Sequence, residues 1–335
     1  MKIDAPLVTA ALSEVPGIAR GIEAMGYDGV YTFEGPHDPF FPLALAAEHT
    51  ERLDLATAIA VAFARSPMNL AHIGWDLQTF SHGRAILGLG SQIKPHIERR
   101  FSMPWSRPAA RMREMVLAIR AIWAAWQDGT PLRFEGEIYR HTLMTPFFTP
   151  EPSRFGPARI FLAGVGPAMT EVAGEVADGF LVHPFSTPEF LREHTMPGLE
   201  RGLATSGRAR TDIEISWPIM VVTGATDADI EAAASVTKAQ LAFYGSTPAY
   251  RVVLDAHGWG DLQPELNRLS KEGRWDVMAS LIDDEMLNTF AVVAPPGDVA
   301  SIMKARYGDL VDRIAFNAPY RSDPAAWAET LAGFR

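Results

Sequence analysis

Leu53-Asp54-Leu55-Ala56-Thr57-Ala58-Ile59-Ala60-Val61, a segment opened by Pro67, and Ala85-Ile86-Leu87-Gly88-Leu89-Gly90 read together as strand, helix, strand. The two strand segments are almost wholly apolar, as parallel strands covered on both faces are. Pro67 suits a first helical position, where its missing N–H leaves no bond unmade. Leu70, Ile73, Leu77 and Phe80 then follow at the spacing of one helical face. Two parallel strands joined through a helix are the repeating unit of α/β folds.

The same alternation continues in both directions. Toward the N-terminus, residues 3–8 and 29–33 read as strands, and residues 16–25 as a helix ended by Gly26. Residues 43–50 supply the next helix. Toward the C-terminus, residues 108–126 form a long helix whose apolar stripe is Met112, Met115, Val116, Ile119, Ile122 and Trp123. A hairpin excursion over 130–149 turns at Gly136. Further strands fall at 159–163, 179–182, 213–222 and 313–316, with helices at 167–177, 188–205, 227–243, 275–287 and 298–307. Residues 245–273 are polar and turn-rich, which marks an insertion around 245–290. Eight strands, each with its helix, in 335 residues predict a single (β/α)8 barrel domain over 1–335, with an open doubly wound sheet as the structural rival.

Composition narrows the function. Hydrophobic residues make up 47% of the chain, enough for a large core, and no apolar run approaches the ~18 residues of a membrane span. Met1-Lys2-Ile3-Asp4-Ala5-Pro6 lacks the pattern of a secretory signal, and cysteine is absent, so the expected location is the cytoplasm. A net charge of −10 argues against nucleic acid as a partner. One basic cluster stands out: Lys94, Arg99, Arg100, Arg107, Arg111 and Arg113 form either a solvated helix face or a clamp for an anionic cofactor tail.

In a barrel of this class the active site lies at the C-terminal ends of the strands. The second strand ends in Glu34-Gly35-Pro36-His37-Asp38-Pro39, which crowds an imidazole between two carboxylates. His37 is therefore the candidate acid or base, with Glu34 beside it. The fourth strand runs into Ser91-Gln92, the sixth into His183, the seventh holds Trp217 and the eighth ends at Asn317. Gly164-Val165-Gly166-Pro167 precedes a helix, so its backbone N–H groups can receive a phosphate. It is not the dinucleotide fingerprint, because Met169 stands where the third glycine would be. Leu7-Val8-Thr9-Ala10 offers no histidine pair after the first strand, and neither HExxH nor a nucleophile elbow occurs. No metal is expected. Phe40, Phe41, Phe63 and Trp217 are candidate pocket walls for an apolar, ring-shaped ligand.

Several motifs carry a family resemblance. Ala19-Arg20-Gly21-Ile22-Glu23-Ala24-Met25-Gly26-Tyr27-Asp28-Gly29-Val30, Arg65-Ser66-Pro67, Phe80-Ser81-His82-Gly83-Arg84, Leu87-Gly88-Leu89-Gly90, Ile160-Phe161-Leu162-Ala163-Gly164 and Ala177-Asp178-Gly179 occur in the order found in luciferase-like oxidoreductases. The chain resembles their deazaflavin-dependent branch most, through Glu34…His37-Asp38-Pro39-Phe40 and Gly88-Leu89-Gly90-Ser91-Gln92. The resemblance implies coenzyme F420, or alternatively FMN, at the barrel mouth, a small organic substrate and a homodimer. It implies His37 and Glu34 near the reactive ring, a bulge with a cis peptide near Ala58-Ile59, and a phosphate turn at Gly164-Val165-Gly166-Pro167-Ala168. Val61, Ser91 and Gln92 would border the cofactor. Some members carry a glutamate just after the fourth strand; here Gln92 cannot donate a proton as an acid does. An FMN monooxygenase and a non-catalytic flavin-binding protein are the rival functions.

Overall fold

A computed structural model describes residues 1–8, 11–321 and 324–335; Thr9 and Ala10, part of the segment read above as lacking a metal-binding histidine pair, lie outside them. The chain divides into two compact units. The larger comprises residues 2–181 and 198–214 and carries the strands Lys2–Pro6, Gly29–Thr32, Asp54–Thr57, Ala85–Gly90, Arg159–Ala163 and Gly179–Leu181. These pair in that order and in parallel, with Asp4 opposite Gly29, Gly29 opposite Asp54, Leu55 opposite Ala85, Ile86 opposite Arg159 and Phe161 opposite Gly179. The second unit comprises residue 1, residues 182–197 and residues 215–335, where Ser216 to Met220 pair in parallel with Arg313–Asn317, Trp217 opposite Ile314. The fold class is the expected (β/α)8 barrel.

The quoted motifs turn out to be joints of the larger unit. Gly26 ends the helix Val15–Met25 in the left-handed region at φ 89°, and the Asp28 carboxylate accepts the Ile3 N–H at 2.7 Å. Arg84 donates to the carbonyls of Ala47, Thr50 and Leu53, and so satisfies the end of the helix Phe40–His49. Asp178 accepts the Ile160 N–H at 2.8 Å and pairs with Arg120 at 2.9 Å. Gly179 is obligatory for space, since a Cβ there would enter the Phe161 ring.

The long helix Pro108–Asp128 buries its whole predicted stripe, and Trp123 packs where Gly74 leaves room, its Nε1 donating to Ala71 O at 2.9 Å. The hairpin forms between Phe134–Glu135 and Arg140–His141. Two expectations need correction. The helix Pro67–Phe80 buries Leu70, Ala71, Gly74, Trp75 and Gln78, whereas Phe80 is exposed: small residues and tryptophan fit the neighbouring helix better than the larger spaced set. The expected turn-rich stretch is helical over Arg251–Asp255 and Leu262–Lys271, where Leu254, Leu266 and Leu269 supply the buried side of an otherwise polar segment. Among the described residues no helix is long and apolar enough to cross a membrane.

Candidate active site

The site in the larger unit begins where the third strand stops. Pairing breaks after Thr57, the Ala58–Ile59 peptide is cis, as expected at that position, and Ala60–Val61 resumes pairing against Leu89 and Gly90. The bulge is bonded to the loop after the second strand: Ala58 N–H donates to Thr32 O at 2.6 Å and Glu34 N–H to Ile59 O at 3.0 Å. Buried Thr32 closes that loop by donating its hydroxyl to Pro39 O at 2.8 Å.

Glu34 is held tightly. Its side chain is 8% exposed, and Oε2 accepts from Val61 N at 2.7 Å and from Arg65 Nη1 at 2.6 Å. Arg65 Nη2 reaches Asp38 Oδ2 at 3.0 Å, and the guanidinium lies over the Phe40 ring at 5.3 Å. One planar cation thus spans both carboxylates with charge-assisted bonds. The expected Glu34–His37 partnership is replaced by Glu34–Arg65. His37 sits exposed in the same loop, without a hydrogen bond to either carboxylate among the described residues. Arg65, read from the sequence only as part of the motif Arg65-Ser66-Pro67 and given no role there, is the organiser that local reasoning missed.

Beside this network lies an apolar shelf. Half-buried Tyr31, Ala58, Ile59 and Ala163 pack over a floor of Ala56, Ile86, Phe161 and Leu181. Gly90 makes the shelf possible, because a Cβ there would stand 2.8 Å from Ile59 Cδ1. Ser91 and Gln92 follow at once, both half-buried; Ser91 Oγ donates to Gln92 O at 3.1 Å, and Gln92 adopts φ 59° while its Oε1 accepts Ile93 N–H at 3.0 Å. Val61 is fully buried, so it contributes its N–H to Glu34 and no exposed surface.

The shelf residue Ala163 leads directly into Gly164-Val165-Gly166-Pro167-Ala168. Gly166 is the N-cap of the helix Pro167–Val176, with Pro167 at its start and no side-chain cap. A Cβ on Gly166 would meet nothing within 4 Å, whereas one on Gly164 would stand 2.6 Å from Met169 Cγ. The turn is therefore compact on its inner side and open above the helix end, where unpaired N–H groups and the helix dipole favour an anion. Apolar shelf and open helix end fit a ring-and-phosphate cofactor.

The basic cluster disperses. Arg107 pairs with Glu137 at 2.7 Å, Arg113 with Glu175 at 2.6 Å, and buried Arg111 donates to Tyr139 Oη and Pro104 O. Arg100 stays with the site through a 2.6 Å bond to Gly35 O, and exposed Lys94 and Arg99 stand on the same stretch of chain. The aromatic expectations also change. Phe63 is fully buried against Trp105 beneath Arg111, and Trp217 is 1% exposed, edge-on to Tyr307 at 5.1 Å. Both are core. Phe41 is 64% exposed, and Phe40 lies under Arg65.

In the second unit, His183 is part-buried between Tyr244 and Tyr250, and burial lowers its pKa from 6.5 to about 4. Phe185 N–H donates to its Nδ1 at 3.0 Å, which leaves the neutral ring's proton on Nε2.

Comparison with known proteins places this geometry. Over 303 residues the chain is 60% identical to an uncharacterised protein of Mycobacterium tuberculosis, covering 90% of this chain and 89% of that one. It is 28% identical over 289 residues to a 5,10-methylenetetrahydromethanopterin reductase of Archaeoglobus fulgidus, covering 83% and 81%. The solved coenzyme F420-dependent tetrahydromethanopterin reductase of Methanopyrus kandleri superposes with a TM-score of 0.80 at 20% identity, over 99% of this chain and 97% of that one. A family model described as luciferase-like monooxygenase matches residues 1–313, and the chain belongs to that family.

Proposed function

We propose that this protein is an oxidoreductase that binds coenzyme F420 on the Ala58–Ile59 shelf and moves a hydride between it and a small organic substrate. The supporting observation is the continuity of that shelf, through Ala163, with the open helix end at Gly166. A flat ring needs an apolar floor, its phosphate needs backbone donors, and one short stretch of chain offers both. When bound, the deazaflavin supplies the redox chemistry.

The protein's own residues do the rest. Ala58 and Ile59 support the ring, and Ser91 and Gln92 border it. Gly164, Val165, Gly166, Pro167 and Ala168 hold the phosphate, while Lys94, Arg99 and Arg100 meet the anionic tail. Glu34 is a positioning residue: through Arg65 and the Val61 N–H it fixes the bulge on which the ring rests. His37, exposed in the adjoining loop, exchanges a proton with the substrate. The working molecule is a homodimer in the cytoplasm, with neither nucleic acid nor membrane as partner.

Parallel titrations with F420 and with FMN test the reading. F420 is expected to bind at least about tenfold more tightly, a difference of roughly 1.4 kcal/mol. Tight FMN binding with indifference to F420 overturns it, and oxygen consumption beside a flavin reductase would then identify a monooxygenase. Flavin binding without turnover of either kind would identify a binding protein.

A further inference from the structure

Along the first two strands of the larger unit the side chains sort into two faces. Ala5, Leu7 and Val30 pack in the core with Val15, Ala19 and Leu43 of the covering helices. Successive residues of a strand point to opposite faces, so Pro6 and Val8 share the other face with Tyr31 and Phe33. Pro6 pairs with Tyr31, and the same offset brings Val8 level with Phe33. The Leu7 N–H donates to Tyr31 O at 2.8 Å, and the Glu34 N–H to Ile59 O at 3.0 Å, so the extended course persists past both strand ends. The alternation persists too: Thr32 and Glu34 turn away from this face, to Pro39 O and to Arg65.

Tyr31 belongs to the shelf, half-buried with Ala58 and Ile59. From it the face runs outward to Phe33, which is 48% exposed, and to Val8, which is 60% exposed. The step from Tyr31 to Phe33 covers ~7 Å. Charged groups of the adjoining loop are engaged elsewhere, Glu34 and Asp38 by Arg65, and Arg100 by Gly35 O. An apolar lane therefore leads from the shelf to the rim. Single exposed apolar residues are ordinary, but these two stand side by side on the one face continuous with the shelf. Walls of this kind suit a ligand that brings apolar surface of its own.

We propose that Val8 and Phe33 form the outer half of the substrate site and receive the hydrocarbon part of an apolar substrate whose reacting end lies over the shelf. This names the substrate class for the oxidoreductase reading and rests on that reading for its catalytic meaning. The apolar binding itself needs no cofactor.

Calorimetric titration of the whole protein, without added cofactor, uses n-butanol, n-hexanol and n-octanol as probes. Affinity is expected to rise about two- to fourfold with each added methylene, the upper figure being the ~0.8 kcal/mol of a fully buried one. Phe33→Ser and Val8→Ser should each lower n-octanol affinity about fivefold and flatten the dependence on chain length. Phe147→Ser, which removes a 90% exposed phenylalanine outside this face, should change neither. Far-ultraviolet dichroism checks the fold of each variant. In the wild type, n-octanol should give nuclear Overhauser contacts to the Phe33 ring and none to Phe147. Affinity independent of chain length, an equal loss in Phe147→Ser, or n-octanol affinity untouched by both lane substitutions would overturn the proposal. So would a wild-type dimer that Phe33→Ser and Val8→Ser dissociate while no alcohol binds, because the face would then join two copies. Chain-length-dependent binding by a protein that takes up neither F420 nor FMN would sink the redox reading and leave the lane standing. Cofactor uptake without any dependence on chain length would do the reverse.

Discussion

Arg65 Nη1 stands 2.6 Å from Glu34 Oε2 across 31 residues of sequence, and the same carboxylate oxygen takes the Val61 N–H at 2.7 Å. The contact ties the loop after the second strand to the far end of the third-strand bulge. It also gives Glu34 a scaffold role, since one carboxylate oxygen holds both the bulge N–H and the Arg65 guanidinium.

Arg65→Met should therefore destabilise the protein by about 3 kcal/mol, the lower end for breaking a buried ion pair, because the Arg65 side chain keeps 16% exposure. Glu34→Gln should cost less, since its amide oxygen still accepts from Val61. Urea unfolding of both variants checks the order; equal losses would show that the Arg65 charge is unimportant.

Gly88 and Gly90 should separate stability from binding. A Cβ on Gly88 would fall on the Thr57 carbonyl oxygen, so Gly88→Ala is expected to cost at least about 3 kcal/mol or prevent folding. On Gly90 it meets only the flexible end of Ile59, so Gly90→Ala should cost about 1 kcal/mol yet weaken cofactor binding by displacing the shelf. Thermal unfolding beside cofactor titration distinguishes them.

Gly166→Asp should move stability and binding in opposite directions. Gly166 has φ −80° and ψ 152°, which any residue adopts, and its Cβ direction is open. Aspartate is a good N-cap and should stabilise the helix by up to about 1 kcal/mol. It also places a carboxylate where the phosphate would sit, so affinity for a phosphate-bearing cofactor should fall about tenfold or more. Unchanged affinity would remove the turn from the cofactor site.

His183 gives a signed pH dependence. Its pKa falls from 6.5 to about 4 on folding because burial disfavours the charged ring. Between those values the unfolded chain holds a proton that the folded chain lacks, so stability rises with pH across that window and is fully present above 6.5. The ceiling is roughly 3 kcal/mol at ~1.4 kcal/mol per unit. His183→Gln should flatten the dependence without abolishing it, since burial lowers His257 and His141 in the same direction. Denaturant midpoints measured from pH 4 to 7 provide the check.

Local patterns carried the fold far. The strand at Ala85–Gly90, the stripe from Met112 to Trp123, the cap at Gly26 and the turn at Gly166 each follow from a few adjacent residues, and each formed where expected. Long-range partnerships did not show. Nothing near Glu34 reveals that Arg65 rather than His37 will hold it, and Arg107 and Arg113 read as one basic patch until Glu137 and Glu175 claim them. Phe63 lies in the short turn Ala62–Ala64 beyond the strand, and Trp217 misleads for a related reason. Strands of this fold are apolar on both faces, so sequence alternation cannot say which aromatic turns toward the mouth and which toward the helices. In Leu262–Lys271 the leucines were outnumbered by charge, and the helix was hidden by its polar side.

Native mass spectrometry of the protein purified from a host that makes both cofactors tests the central claim most directly. A bound mass equal to F420 with its glutamyl tail, lost in Gly166→Asp, is the expected result. Bound FMN in its place, or a protein that carries neither from such a host, contradicts the account.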